Sequence, residues 1–354
     1  MDSETIAFDP DGDLMLILTH VEEEPGKFEL VHTAEDGNLS DDDASMESPA
    51  PVLRSKETRM IVSSKHLIHV SAVFKAMFRK ETFVEGRELA KGKAVVPLPD
   101  DDPFAMTILM NLIHHNHRKV PRTVDLDTMT NIAILADKYE LTEVLYTNSE
   151  LWLKDLKKTV PVSLTQDLLP WLSIACVFNM APEFKHLTRI ATLESSGDLG
   201  LGESDEGLPI PAQVFAAIES ERQRGISEMY AIIHHEIQKY QTGPVNCRTL
   251  TFLCPSDTKR LNYACDGAVL GTLLKSADEN KLWPPVPPPF VGLTLRMVIR
   301  KAQALTITAL CDHLELENES EYKGPSHGVK AAIVGTIKKI KGGLGLNIKN
   351  YKMG

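Results

Sequence analysis

No stretch of this chain reaches the roughly 18 uncharged apolar residues that a membrane-spanning helix requires. The opening Met-Asp-Ser-Glu has neither the basic nor the apolar region of a secretory signal. The expectation is therefore a soluble globular protein of the cytosol or nucleus. Cysteines are few: Cys176, Cys247, Cys254, Cys265 and Cys311. In such a compartment they are expected as reduced thiols. Positive charge is in deficit as well, with a net charge of −11, which argues against nucleic acid as a partner because phosphate binding needs a cationic surface. Phosphate-cradling loops are missing: Gly342-Gly-Leu-Gly345 has no strand before it and no helix after it. There is no Gly-x-Ser-x-Gly elbow and no recognisable Cys-His catalytic pattern. These absences point away from an enzyme.

What is present is apolar material for two ordinary domains: 354 residues, 43% hydrophobic and 25% charged. Ser63 or Ser64 can cap a helix in which Leu67, Val70, Phe74 and Met77 or Phe78 recur on one face. Ala94-Val-Val-Pro-Leu98, leading into Asp100-Asp-Asp-Pro103, reads as a short strand. Pro103 can open a helix through Met106, Leu109, Met110 and Ile113. That helix ends at His114-His-Asn-His117, where a protonated imidazole suits the dipole. Residues 125–139 give another, with Leu126, Met129, Ile132, Ala133 and Ala136 inward. At the front, Asp9-Pro-Asp-Gly12 signals a turn into Leu14-Met-Leu-Ile-Leu18, a buried-strand candidate. Lys27-Phe-Glu-Leu-Val31 alternates like a strand. Residues 33–57 are acidic, rich in Ser and Pro and almost free of large apolar groups, so they are expected as a disordered insertion.

The segment Val62-Ser-Ser-Lys-His-Leu-Ile-His-Val-Ser-Ala-Val-Phe-Lys-Ala-Met-Phe78, followed by Phe83-Val-Glu85 and Ala136-Asp-Lys-Tyr-Glu-Leu141, resembles the BTB/POZ domain, a protein-interaction module. The order strand, strand, helix, strand, helices agrees with that resemblance. The opening Asp9-Pro-Asp-Gly-Asp-Leu14 is similar to a branch common in fungi. The resemblance covers about residues 8–150. It implies an α+β fold, a small sheet flanked by helices, with a mainly α-helical C-terminal region after it. Three segments are expected: 1–150, the BTB/POZ domain with its insertion; 151–242, helical; and 243–354, helical and cysteine-containing.

The same resemblance implies a charged groove at Asp13 and Lys65, although Ser64 stands where the family often has His. It implies a homodimer that buries the first helix, with Leu67, Val70, Phe74 and Phe78 supplying both core and interface. Phe83-Val-Glu85 matches the hydrophobic-x-Glu motif that in the family enters a cullin contact. Three readings follow: a homodimerising interaction module, a substrate adaptor of a cullin-type ubiquitin ligase, and a transcription co-regulator without its own DNA-binding domain. Fold alone does not choose among them. Kelch repeats, a MATH-type domain and zinc-finger arrays are absent from the sequence.

In the second half, helical runs are expected over 151–158, 164–190 with a break near Pro182, and from Pro211, with Gly225 separating Val214, Phe215 and Ile218 from residues 226–240. Trp283-Pro-Pro-Val-Pro-Pro-Pro-Phe290 reads as a rigid connector pinned by its two aromatic ends. Val329, Ile333, Ile337 and Ile340 form the apolar stripe of a basic C-terminal helix that docks on the body with its lysines in water. Cys247, Cys254, Cys265, Cys311, His313 and His327 gather in the last third, and zinc would accept four of them as ligands. Their spacing is not that of a recognised site, and inert buried thiols are the competing reading. No cofactor is expected on this basis.

Overall fold

The computed structural model describes residues 2–24, 52–79, 83–197, 199, 207–248, 257–313 and 325–351. The chain divides into two units, residues 1–158 and 159–354. Among the described residues no helix is long and apolar enough to cross a membrane.

Unit 1 is α+β. Strands β1 (Asp2–Ala7), β2 (Leu14–Glu24), β3 (Val52–Val62) and β4 (Ala94–Leu98) form one sheet in the order β1-β3-β2-β4. The β2 and β3 strands are antiparallel, Leu14 facing Val62 and Glu24 facing Val52, while β1 runs parallel to β3 and β4 parallel to β2. Alternation turns Leu14, Leu16, Leu18, Met60, Val62, Ala94, Val96 and Leu98 inward and leaves Val95 exposed. The run at 14–18, expected as a buried strand, thus buries only every second side chain, with Met15 and Ile17 half-buried. Residues 52–57, expected within the disordered insertion, belong to β3, where pairing with β2 satisfies their backbone groups. The remainder of that insertion and the strand-like run at 27–31 lie outside the described residues.

The single helix expected over 63–78 is two helices, α1 (Ser64–Val70) and α2 (Ala72–Met77). Ser71 breaks it. Its backbone is extended, its Oγ accepts from the Phe74 N–H at 3.0 Å, and its hydroxyl donates to the Tyr139 carbonyl at 2.7 Å. A buried serine with both bonds made competes successfully with helix continuation. After α3 (Val84–Leu89), which packs on β4, come α4 (Pro103–Ile113), α5 (Leu126–Lys138) and α6 (Thr142–Leu156). Asp102 caps α4 through the Ala105 N–H at 2.7 Å, and Asp125 caps α5 through the Thr128 N–H at 2.8 Å. Glu140, at φ 51°, closes α5: its own N–H reaches Asp137 O, and the Leu141 N–H reaches Ala136 O at 2.8 Å. Because α6 runs to Leu156, unit 1 extends past residue 150.

Unit 2 is helical: α7 (Leu168–Val177), α8 (Ala181–Glu194), α9 (Ala212–Thr242), α10 (Thr258–Glu279), α11 (Leu295–Gln303) and α12 (Val329–Gly343). Gly225 does not interrupt α9. A Cβ there would stand 2.7 Å from Cδ2 of Leu295, so the glycine marks a close approach of α11 rather than a helix break. The expected boundary at residue 242 falls inside this unit, because Ile226, Ile233 and Ile237 of α9 share one core with Val269 and Leu273 of α10 and Ile333 and Ile337 of α12. Isoleucines 333, 337 and 340 are buried as the amphipathic pattern requires.

The proline-rich segment connects α10 to α11 and is held at both ends. Trp283 stacks on His234 at 5.5 Å and Phe290 on Tyr230 at 5.9 Å. At the Phe290 end reaches Arg222 of α9, 1% exposed, donating to the carbonyls of Pro289, Phe290 and Leu293 and paired with Glu219. Replacing Arg222→Leu strands these buried carbonyls. The expected result is a loss of about 3 kcal/mol or more from the unfolding free energy of the unit, read by denaturant titration; an unchanged midpoint would contradict this role.

Candidate functional site

The expected groove of unit 1 begins at the turn before β2. A Cβ at Gly12 would lie 2.7 Å from the Val62 carbonyl, and this tight passage sets Asp13 opposite the start of α1. There Asp13 Oδ1 accepts the Ser64 N–H at 2.8 Å and Oδ2 accepts the Ser64 hydroxyl at 2.7 Å. Burial pushes the Asp13 carboxyl up, but the two bonds from Ser64 and the nearby Lys65 charge outweigh it, leaving the pKa below its ordinary 3.8. Asp13 is therefore a cap for the N-terminus of α1, as the helix dipole favours. Lys65 is exposed beside it. With both carboxylate oxygens engaged, the exposed charge here is that of the lysine.

His114 lies close by and corrects the expectation of a protonated ring at the end of α4. The side chain is 8% exposed, its Nδ1 is 2.9 Å from Met110 O, and its Nε2 accepts the Ser63 N–H at 3.0 Å. These partners require a neutral ring that donates from Nδ1. Burial lowers its pKa below 6.5, assisted by the neighbouring His66 and His115 and opposed by the Met110 carbonyl and Asp9.

The four apolar residues expected to serve core and interface together do not do so. Leu67 and Phe74 are fully buried and Phe78 nearly so; all three are committed to the core, where Phe74 stacks on Phe78 and, at 4.5 Å, on Tyr139. Of the four, only Val70 keeps partial exposure; so do Met77, the alternative to Phe78 in the amphipathic pattern, and Ile68 and Val73, which that pattern did not single out. One face of a short helix cannot be spent twice. Phe83 is 46% exposed and Val84 58%, at the first turn of α3, with Glu85 half-buried behind them. The adaptor reading sets Phe83 beside the helix at 106–113; here α3 lies on β4, and Met106, Leu109, Met110 and Ile113 are buried.

In unit 2, four of the six zinc candidates converge. Cys247 lies between α9 and α10, Cys265 is on α10, Cys311 is in a 3-10 turn at Leu310–His313, and His327 is in another at Pro325–Gly328. Their ligand atoms all lie within 4.8 Å of one another. Sγ of Cys265 is 3.7 Å from Sγ of Cys311, and His327 Nε2 is 3.5 Å and 3.1 Å from those two sulfurs. Burial raises the thiol pKa of Cys265 and Cys311; Cys247 adds to the rise in both, and Cys265 adds to it in Cys311, while the bonds with Cys311 oppose it in Cys265. Cys254 lies outside the described residues, as does the side chain of His313. Cys176 is buried on α7 and is not a member of the cluster.

Asp266, which the pattern of cysteines and histidines did not reveal, holds this arrangement from outside. Its carboxylate accepts the N–H groups of Asn246 at 2.6 Å and Cys247 at 3.0 Å, and Oδ1 faces Nδ1 of His327 at 3.5 Å. Cys247 also lines an open surface cleft with Val245, Lys259, Arg260, Asn262 and Tyr263. The only sequence signal for Asp266 is its adjacency to Cys265. Comparison with protein-family models, with curated proteins and with solved structures finds no match to this chain.

The state of His114 gives a pH prediction. Between its lowered folded pKa and the ordinary 6.5, the unfolded chain binds a proton that the folded ring refuses. Stability therefore rises with pH across that window, is fully present above it, and is lost as pH falls through it. Denaturant titrations of the wild type and a His114→Gln variant between about pH 7 and about pH 5 should show a shallower loss in the variant; equal slopes would refute the assignment.

Proposed function

We propose that unit 1 is a protein-interaction module of the BTB/POZ type, and that it acts by binding rather than by catalysis, with a second copy of itself as the first partner. The observation that carries this reading is the outer face of α1 and α2. After the core has taken Leu67, Phe74 and Phe78, the apolar side chains of Ile68, Val70, Val73 and Met77 remain half-buried among exposed Lys65, His66, His69 and Lys75. An apolar strip with a polar rim suits an isologous twofold contact, in which each copy presents the same patch. The basic groups on this face are offset elsewhere, since the whole chain carries −11.

A second contact is favoured by the exposure of Phe83 and Val84. Held on the first turn of a helix, two adjacent apolar side chains cost little conformational entropy to dock. Their resemblance to the hydrophobic-x-Glu motif supports a cullin-type ubiquitin ligase subunit as the partner, with the chain as its substrate adaptor.

The two contacts separate experimentally. Light scattering of the full chain should give a dimer, and Val70→Arg with Met77→Arg should give a folded monomer by circular dichroism; a mass unchanged by the substitutions would reject this face. For the second contact, a tagged Phe83→Ala, Glu85→Ala variant should lose cullin from a native-lysate pull-down that the wild type retains. Equal recovery would discard the adaptor reading while leaving self-association standing.

A further inference from the structure

The geometry points to a structural zinc ion bound by Cys247, Cys265, Cys311 and His327 in unit 2. All four ligand atoms lie within 4.8 Å of one another, and the three edges among Cys265, Cys311 and His327 are close to those of a tetrahedron around a single ion. With Zn–S of about 2.3 Å and Zn–N of about 2.0 Å, a regular tetrahedron needs S···S edges of about 3.8 Å and S···N edges of about 3.5 Å. The observed edges are 3.7 Å between Cys265 and Cys311, and 3.5 Å and 3.1 Å from these to Nε2 of His327. The sulfurs are too far apart for a disulfide, which holds them at about 2.05 Å. They are too close together to enclose an iron–sulfur cluster, whose own sulfides and irons occupy the space between ligands.

A second observation points the same way. Metal-bound histidines commonly direct their other nitrogen at a carboxylate that fixes the tautomer and turns the free lone pair inward. Asp266 faces Nδ1 of His327 while Nε2 is the nitrogen beside the sulfurs, and the same carboxylate clamps the backbone of Cys247. Asp266 thus positions two ligands from different segments. Loading forms three Zn–S bonds and one Zn–N bond, the thiol protons leaving to water. Four protein ligands leave no open position, which is the pattern of a structural rather than a catalytic zinc. The cleft along Cys247 gives the ion a route in. This site is independent of the reading proposed for unit 1.

The test is metal analysis of the full chain, purified under reducing conditions without chelators. About one zinc per chain is expected, lost in Cys265→Ser and in Cys311→Ser and kept in Cys176→Ser. Wild-type protein that carries no zinc and takes up none when it is added would overturn the site, as would retention of zinc by both cluster variants. Should those variants fail to fold, cobalt(II) exchanged into the wild type decides. Sulfur-to-cobalt charge-transfer bands with the intense visible bands of a tetrahedral ion support the site, and the weak spectrum of octahedral cobalt refutes it.

Discussion

A buried carboxylate costs several kcal/mol unless it is paired and its lone pairs are met, and Asp101 of unit 1, 3% exposed, is such a group. Its oxygens receive Lys138 Nζ at 2.6 Å and the Tyr139 hydroxyl at 2.5 Å. Tyr139 then carries the constraint outward. Its ring stacks on Phe74 and its carbonyl takes the hydroxyl of Ser71, so the turn after β4, the junction of α1 and α2, and the end of α5 are fixed by one side chain and its neighbours. Burial, reinforced by Asp101, raises the phenol pKa, which keeps the hydroxyl a donor. Removing any one member would leave another buried polar group without its partner.

That network explains which parts of the fold could be read in advance. In the Ala136-Asp-Lys-Tyr-Glu-Leu141 segment only Glu140, the left-handed residue that ends α5, acts locally, while Lys138 and Tyr139 reach Asp101, 37 and 38 residues away. The helix over 63–78 was legible in its apolar face but not in its break, since Ser71 is diverted by Tyr139, 68 residues away. Gly225 misled for the opposite reason. A glycine that permits close packing looks, in a sequence, like one that ends a helix; only the position of Leu295 distinguishes them. Strand β1 carried no strong signal, because Asp-Ser-Glu-Thr-Ile-Ala has little alternation of its own and takes its conformation from the edge of β3.

For the candidate interaction surface, periodicity identified the apolar stripe of α1 and α2 and could not apportion it. Helical spacing says which residues share a face; it does not say that the core will use the whole of it. The residues the core leaves half-buried are Val70 and Met77 of the stripe and its neighbours Ile68 and Val73, and a search for the strongest amphipathic positions passes over the last two. Phe83 and Val84 were legible as a motif, and their exposure agrees with availability to a partner.

The cluster in unit 2 poses a different problem. Cys247, Cys265 and Cys311 all belong to the hydrophobic core, and a buried thiol packs as a small apolar group. Three cysteines there would need no explanation beyond packing. His327 and Asp266 change the argument, because each is a polar group whose burial has to be offset. A core assembled for packing alone would place alanine or valine at these positions and avoid that cost. An imidazole nitrogen aimed at two sulfurs, backed by a carboxylate that also fixes the third cysteine's backbone, is accounted for by a charge at the centre of the four atoms. The ligands come from segments up to 80 residues apart, 247 to 327, which is why no sequence spacing announced them. An ion there would join the segment after α9, helix α10 and the two turns preceding α12, adding a long-range tie to the one supplied by the isoleucines of α12.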